Sequence, residues 1–82
     1  GFVYLQRVRQ HRTKKGDLMA FAVGVDETAQ IDLVIMPNIY ARSTAFLNKG
    51  QYVYFQGKMD KEDSCLVNRL QPLNPDFTQN SQ

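Results

Sequence analysis

Arg12-Thr13-Lys14-Lys15-Gly16-Asp17-Leu18-Met19-Ala20-Phe21 is a basic, glycine-containing break that runs into an apolar stretch. Glycine supplies the positive φ that a short strand-to-strand connection usually demands, so Lys15-Gly16-Asp17 reads as a hairpin turn. Arg12, Lys14 and Lys15 then sit at a loop tip. Met19, Phe21, Val23 and Val25 follow at every second position, the period of a strand with one buried face. On that reading Phe21 is a core residue first and a stacking surface second. A cationic loop beside an aromatic-bearing strand suggests a surface for a polyanion with flat bases.

Working backwards, Phe2 to His11 is rich in β-forming residues with no internal glycine or proline. Val3 and Leu5 share one parity and Val8 the other, so the strand needs a bulge near Gln6-Arg7 to turn all three inward. Working forwards, Asp26-Glu27-Thr28-Ala29 is a turn in which Asp and Thr can bond their own backbone. Ile31, Leu33 and Ile35 alternate with Asp32 in a third strand that Pro37 stops. Asn38 is a candidate helix N-cap, Ile39, Tyr40, Phe46 and Leu47 give a helical apolar face, and Asn48-Lys49-Gly50 closes that helix. Gln51 to Met59 is a fourth strand with Val53, Phe55 and Gly57 on one face and Tyr54, Gln56 and Lys58 on the other. Gly57 would let it turn a barrel corner. Asp60 to Ser64 is a polar loop and Cys65 to Leu70 the last strand.

The order β-β-β-α-β-β predicts an all-β fold, a five-stranded Greek-key OB barrel with one short helix between strands three and four. Closure removes exposed strand edges, which suits a chain of 82 residues that buries only about 60 to 65% of its unfolded surface. The barrel is expected over residues 1–71. Residues 72–82, with two prolines in a polar run, read as an irregular or disordered tail or linker.

Net charge is only +2, but Arg7, Arg9, Arg12, Lys14 and Lys15 all precede the first acid, Asp17. The bland reading is a solvated edge that discourages strand pairing, and the clustering favours a binding role. One cysteine, Cys65, excludes an internal disulfide, and with a single histidine, His11, it falls short of the roughly four ligands of a structural zinc site. Asp26, Glu27 and Asp32 lack the spacing of a metal-ligating loop and read as solvated acids. Neither metal nor cofactor is expected. His11 has no acid or nucleophile beside it, and Cys65 reads as a packing residue. No apolar run approaches the roughly 20 residues that span a bilayer, so a soluble, monomeric cytoplasmic domain without a membrane partner is expected.

The run Arg12-Thr13-Lys14-Lys15-Gly16-Asp17 with Met19-Ala20-Phe21 resembles the OB domain in the C-terminal region of the α subunit of bacterial DNA polymerase III, the DnaE-type replicative polymerase. The similarity continues through Asp26, Thr28, Ile31, Asp32, Val34, Pro37 and Tyr40, then Gly50 and Phe55-Gln56-Gly57-Lys58, and covers nearly residues 2–71. Gly24-Val25-Asp26, Met36 and Ala29-Gln30 depart from the family pattern, which usually has an acid after a hydrophobic pair, a phenylalanine and a turn glycine there. Anticodon-binding domains of class II aminoacyl-tRNA synthetases share the OB pattern without this combination. The resemblance implies an accessory domain that contacts single-stranded template, within a bacterial DNA-directed DNA polymerase whose catalytic carboxylates lie in another domain.

In OB folds the ligand crosses strands two and three between the first and last hairpin loops. Arg9, Arg12, Lys14, Lys15, Lys58 and Lys61 are candidate phosphate contacts, and Tyr54 and Phe21 candidate stacking platforms. Tyr54 shares parity with Gln56 and Lys58 and is expected to face out. The partner is then single-stranded DNA, bound weakly and with strong salt dependence. Two alternatives remain open: a docking module for other polymerase domains or replisome subunits through Tyr40, Tyr52 and Tyr54, and a tRNA anticodon-binding domain.

Overall fold

The computed structural model describes residues 1–73. Five strands, β1 (Phe2–Arg12), β2 (Leu18–Val25), β3 (Gln30–Ile35), β4 (Tyr52–Lys61) and β5 (Ser64–Pro72), and one helix, α1 (Pro37–Ser43), follow in the expected order. The strands close into a barrel in the order β1-β2-β3-β5-β4, antiparallel throughout except for the parallel pair β3–β5. This is the OB arrangement, with the helix between β3 and β4. Among the described residues no helix is long and apolar enough to cross a membrane.

β1 serves two neighbours. Its first residues pair with β4 (Phe2 opposite Tyr54) and the rest with β2. The register slips between Leu5 and Arg7, at the bulge the broken alternation requires, so Val3 and Leu5 are buried and Val8 packs against the same core. A second slip, opposite Asn68 where Gln56 faces Arg69 and Gly57 faces Val67, turns Cys65, Val67 and Leu70 all inward. Leu5, Leu33, Ile35 and Val53 are wholly enclosed at the centre. Burial pushes the Cys65 thiol above its ordinary value, as befits a packing residue.

β2 corrects its expected parity. Ala20, Ala22 and Gly24 face the core, whereas Phe21, Val23 and Val25 face out. The reason is space: a Cβ on Gly24 would stand 2.6 Å from Val3 Cγ2, so this wall of the barrel admits only small side chains. Met19 is buried as expected, whereas a shift of one residue in the inward set turns Phe21, Val23 and Val25 to the other face.

The helix is also shorter than its apolar spacing implied. Met36 is the N-cap and Pro37 the first helical residue, instead of a helix capped by Asn38. The helix ends at Ser43, which is buried and donates its hydroxyl to the Ile39 carbonyl at 2.7 Å. Phe46 and Leu47 then bond back to the Ser43 carbonyl as a turn, and Leu47 still reaches the core. α1 packs on β2 and β5, and Gln10 donates to the Tyr40 hydroxyl at 2.8 Å.

At the C-terminal side β5 runs to Pro72, and Leu73 N donates to the Tyr52 carbonyl at 2.9 Å. Of the segment read as a tail, residues 74–82 lie outside the described residues.

The β2–β3 turn is held by Asp26. Its carboxylate accepts from the backbone N–H groups of Thr28 and Ala29, both at 2.9 Å, and these bonds hold its pKa below the ordinary value. A lowered folded pKa gives stability above the unfolded pKa that is lost as pH falls through the folded one. Asp26→Ala is therefore expected to lower Tm at neutral pH, with the difference from the parent closing in acid. Thermal melts across pH 7 to 2 would check this, and a gap independent of pH would be the contrary result.

Candidate nucleic-acid interface

Register alone assembles a surface across the outside of the barrel. Arg9 of β1 stands opposite Phe21 of β2, Phe21 opposite Val34 of β3, Val34 beside Leu66 of β5, and Leu66 opposite Lys58 of β4. Two residues along β1, β2, β3 and β5 runs a second row on the same face, Arg7, Val23, Asp32, Ser64 and, across from Ser64 on β4, Lys61. Neighbouring strands lie about 4.8 Å apart, so side chains in a row touch or nearly touch. The first row is an apolar strip with a cation at each end. Phe21 is 36% and Leu66 44% exposed, and Val34 between them joins the two into one apolar patch.

A shallow cavity of about 340 Å³ opens over these rows, lined by Arg7, Arg9, Phe21, Asp32, Val34 and Ser64 among others. The His11 ring lies against Phe21, centroids 5.6 Å apart and tilted by 57°, which fixes the Phe21 ring from the side of the first loop. That loop is self-contained: Thr13 N donates to Asp17 O at 2.7 Å, Gly16 N to Thr13 O at 2.9 Å, and Asp17 N to Thr13 Oγ1 at 3.1 Å. Gly16 has φ of 94°, which supports the glycine requirement there. Arg12 donates to the Gly16 carbonyl at 2.7 Å, so it braces the loop while Lys14 and Lys15 stay exposed at the tip.

The opposite corner is the β4–β5 hairpin, tighter than the loop expected over Asp60 to Ser64: Lys61 pairs with Ser64, leaving Glu62 and Asp63 as the turn. The Asp63 carbonyl accepts from Asp32 N at 2.7 Å and ties this hairpin to the edge of the cavity.

Over 73 residues, 84% of this chain, the sequence is 34% identical to the DNA polymerase III subunit alpha of Halalkalibacterium halodurans. This chain is similar to a segment of a DNA polymerase III α subunit. It spans only 6% of that relative's length. No protein-family model and no solved structure matches the chain. The match to the polymerase III α subunit accords with the resemblance read from Thr13-Lys14-Lys15-Gly16-Asp17 and Met19-Ala20-Phe21.

Within this polymerase III-like barrel the candidate residues fall into three groups. Arg9, Phe21 and Lys58 share one row and Lys61 ends the next, with Arg12, Lys14 and Lys15 at the adjoining loop. Tyr54 stands apart on the β1–β4 seam, half-buried against Phe2 with ring centroids 5.1 Å apart. Sequence reasoning passed over Arg7, Val34 and Leu66 as site residues. For Arg7 the signal was the bulge, which sets Arg7 opposite Val23 and beside the cavity.

Proposed function

We propose that this barrel is a single-stranded DNA-binding module of a bacterial replicative DNA polymerase III α subunit, contributing template binding in the cytoplasm while other parts of the parent polypeptide carry out nucleotidyl transfer. The observation that carries this reading is the outward row Arg9, Phe21, Val34, Leu66, Lys58: a stacking ring and an apolar strip bounded by cations. Single strands are held in this way, bases on flat side chains and phosphates along Lys and Arg. The ring that serves is Phe21 rather than Tyr54.

Titration of labelled single-stranded and duplex oligonucleotides at two salt concentrations tests the proposal. The chain is expected to bind single strands weakly, on the order of micromolar or worse, and less well as salt rises. Phe21→Ala is expected to cost about 1 to 3 kcal/mol of binding. Equal binding by Phe21→Ala and the parent would remove Phe21 as a platform, and salt-independent binding would remove the phosphate contacts.

A second reading rests on a separate observation. Phe2 with Tyr54 and Tyr4 with Tyr52 form two ring pairs, each at 5.1 Å, on the β1–β4 seam, and Phe2 and Tyr52 are more than half exposed. A cavity of about 520 Å³ lies beside them, lined by Val25, Asp26 and Glu27 as well. This seam suits docking on another domain of a polymerase or on a replisome subunit, and it leaves the nucleic-acid row free.

A further inference from the structure

The second row contains an oddity for a surface that takes a polyanion. Asp32 lies in its middle, exposed, with Val23 on one side and Ser64 on the other, and it lines the same cavity as Arg7, Arg9 and Phe21. Among the described residues its carboxylate takes part in no hydrogen bond, although its backbone N–H is held at 2.7 Å by the Asp63 carbonyl. The strand backbone is thus pinned and the acceptor is left open toward the groove.

Charge is distributed unevenly across that groove. The β1 side and the first loop carry Arg7, Arg9, Arg12, Lys14 and Lys15, while the far side mixes Lys58 and Lys61 with Asp32, Asp60, Glu62 and Asp63. A phosphate is repelled at Asp32 and attracted two strands away at Arg7 and Arg9, so a strand laid along the groove keeps its backbone over β1 and turns its base edges toward β3. An ionised carboxylate can only accept hydrogen bonds. Cytosine, adenine and guanine each offer an exocyclic amino donor, and Asp pairs naturally with the cytosine N4 amino group. Thymine offers one N–H between two carbonyl oxygens that a carboxylate repels.

We infer that Asp32 is a specificity residue, making this face prefer single-stranded bases that carry an exocyclic amino group over thymine. The inference rests on the proposed nucleic-acid reading of the groove and adds a base preference to it. The bland reading of Asp32 is a solvated charge that weakens all binding equally, and the two differ in what happens to the ratio between bases.

The test is titration of oligo-dC and oligo-dT of equal length with the 82-residue chain, Asp32→Asn and Arg9→Ala, at neutral pH and low salt. The parent is expected to favour oligo-dC by about fivefold or more, the scale of one charge-assisted hydrogen bond. Asp32→Asn is expected to bring the ratio close to one, chiefly by improving binding of oligo-dT. Arg9→Ala is expected to weaken both oligonucleotides and keep the ratio. A ratio that Asp32→Asn leaves unchanged, in a parent that binds both, overturns the role of Asp32 alone. No binding by the parent to either oligonucleotide overturns the nucleic-acid reading and this inference with it.

Discussion

Gly57→Ala is expected to destabilise the fold by about 3 kcal/mol or more. Gly57 lies at the β4–β5 register slip, where an added Cβ would collide with the backbone carbonyl oxygen of Leu66 and lie 2.8 Å from Cys65 Sγ. A side chain can rotate away from such a clash, but a carbonyl in a strand pair moves only by giving up ladder bonds. Overpacking typically costs 1 to 3 kcal/mol, and a backbone obstacle puts this site at or above about the upper end. In a domain this small each kcal/mol shifts Tm by roughly 4 to 8 °C, so the melt should fall by about 12 °C or more. Gly16→Ala is the comparison. Its φ of 94° resists a side chain, but nothing lies within 4 Å of the added Cβ, so the loss should stay near 1 kcal/mol. Equal stability losses in the two variants would mean that the β4–β5 slip can relax around a methyl group.

Replacing Arg7, Arg9, Lys14 and Lys15 together by Ala should flatten the salt dependence of single-strand binding. All four side chains are exposed, so the barrel itself should be little affected. Each phosphate contact contributes about 0.7 to the slope of log affinity against log salt for single strands, and four contacts contribute roughly three units. Arg12 is left intact because it donates to the Gly16 carbonyl, and its loss would loosen the loop as well as remove a charge. Affinity at low salt should collapse by a similar factor for every base composition, since phosphates carry no sequence information. Lys14→Ala with Lys15→Ala alone should lose about half as much slope. A quadruple variant that binds at low salt as the parent does would leave these cations as a solvated edge.

The features legible in the sequence were those that backbone chemistry dictates. The clash of parity between Leu5 and Val8 announced a bulge, Pro37 ended β3, Gly16 marked a positive-φ turn, and the element order led to a closed barrel. Side-chain direction in β2 was not legible, because Leu18–Val25 is apolar at nearly every position and offers no polar residue to mark the outer face. Large residues alternate there with Ala20, Ala22 and Gly24, and hydrophobicity favours turning the large ones inward. Crowding at Val3 reverses the choice, and it depends on the bulged register of β1 against β2, which the pattern within β2 does not carry. Phe21 was accordingly expected in the core and lies instead at the centre of the candidate interface. The helix was overextended for a related reason: Phe46 and Leu47 reach the core from a turn, so their spacing imitated a helical face. Arg7, Val34 and Leu66 join the site only through register, and the parallel pair β3–β5 cannot be read from local pattern.

Closure of the ring bears on how the molecule forms. Gly1 N donates to the Phe55 carbonyl at 2.7 Å across 54 residues, and β3 waits for β5, which is made only after the helix and β4. Only the hairpins β1–β2, β2–β3 and β4–β5 can assemble from neighbouring chain. Contacts this remote in sequence place a small β barrel among the slow folders, on the order of milliseconds to seconds. During synthesis the outer row of Arg9, Phe21 and Val34 can form on the first three strands, whereas Leu66 and Lys58 arrive last. The growing chain therefore holds half of the candidate interface before it holds a core able to keep that surface in place.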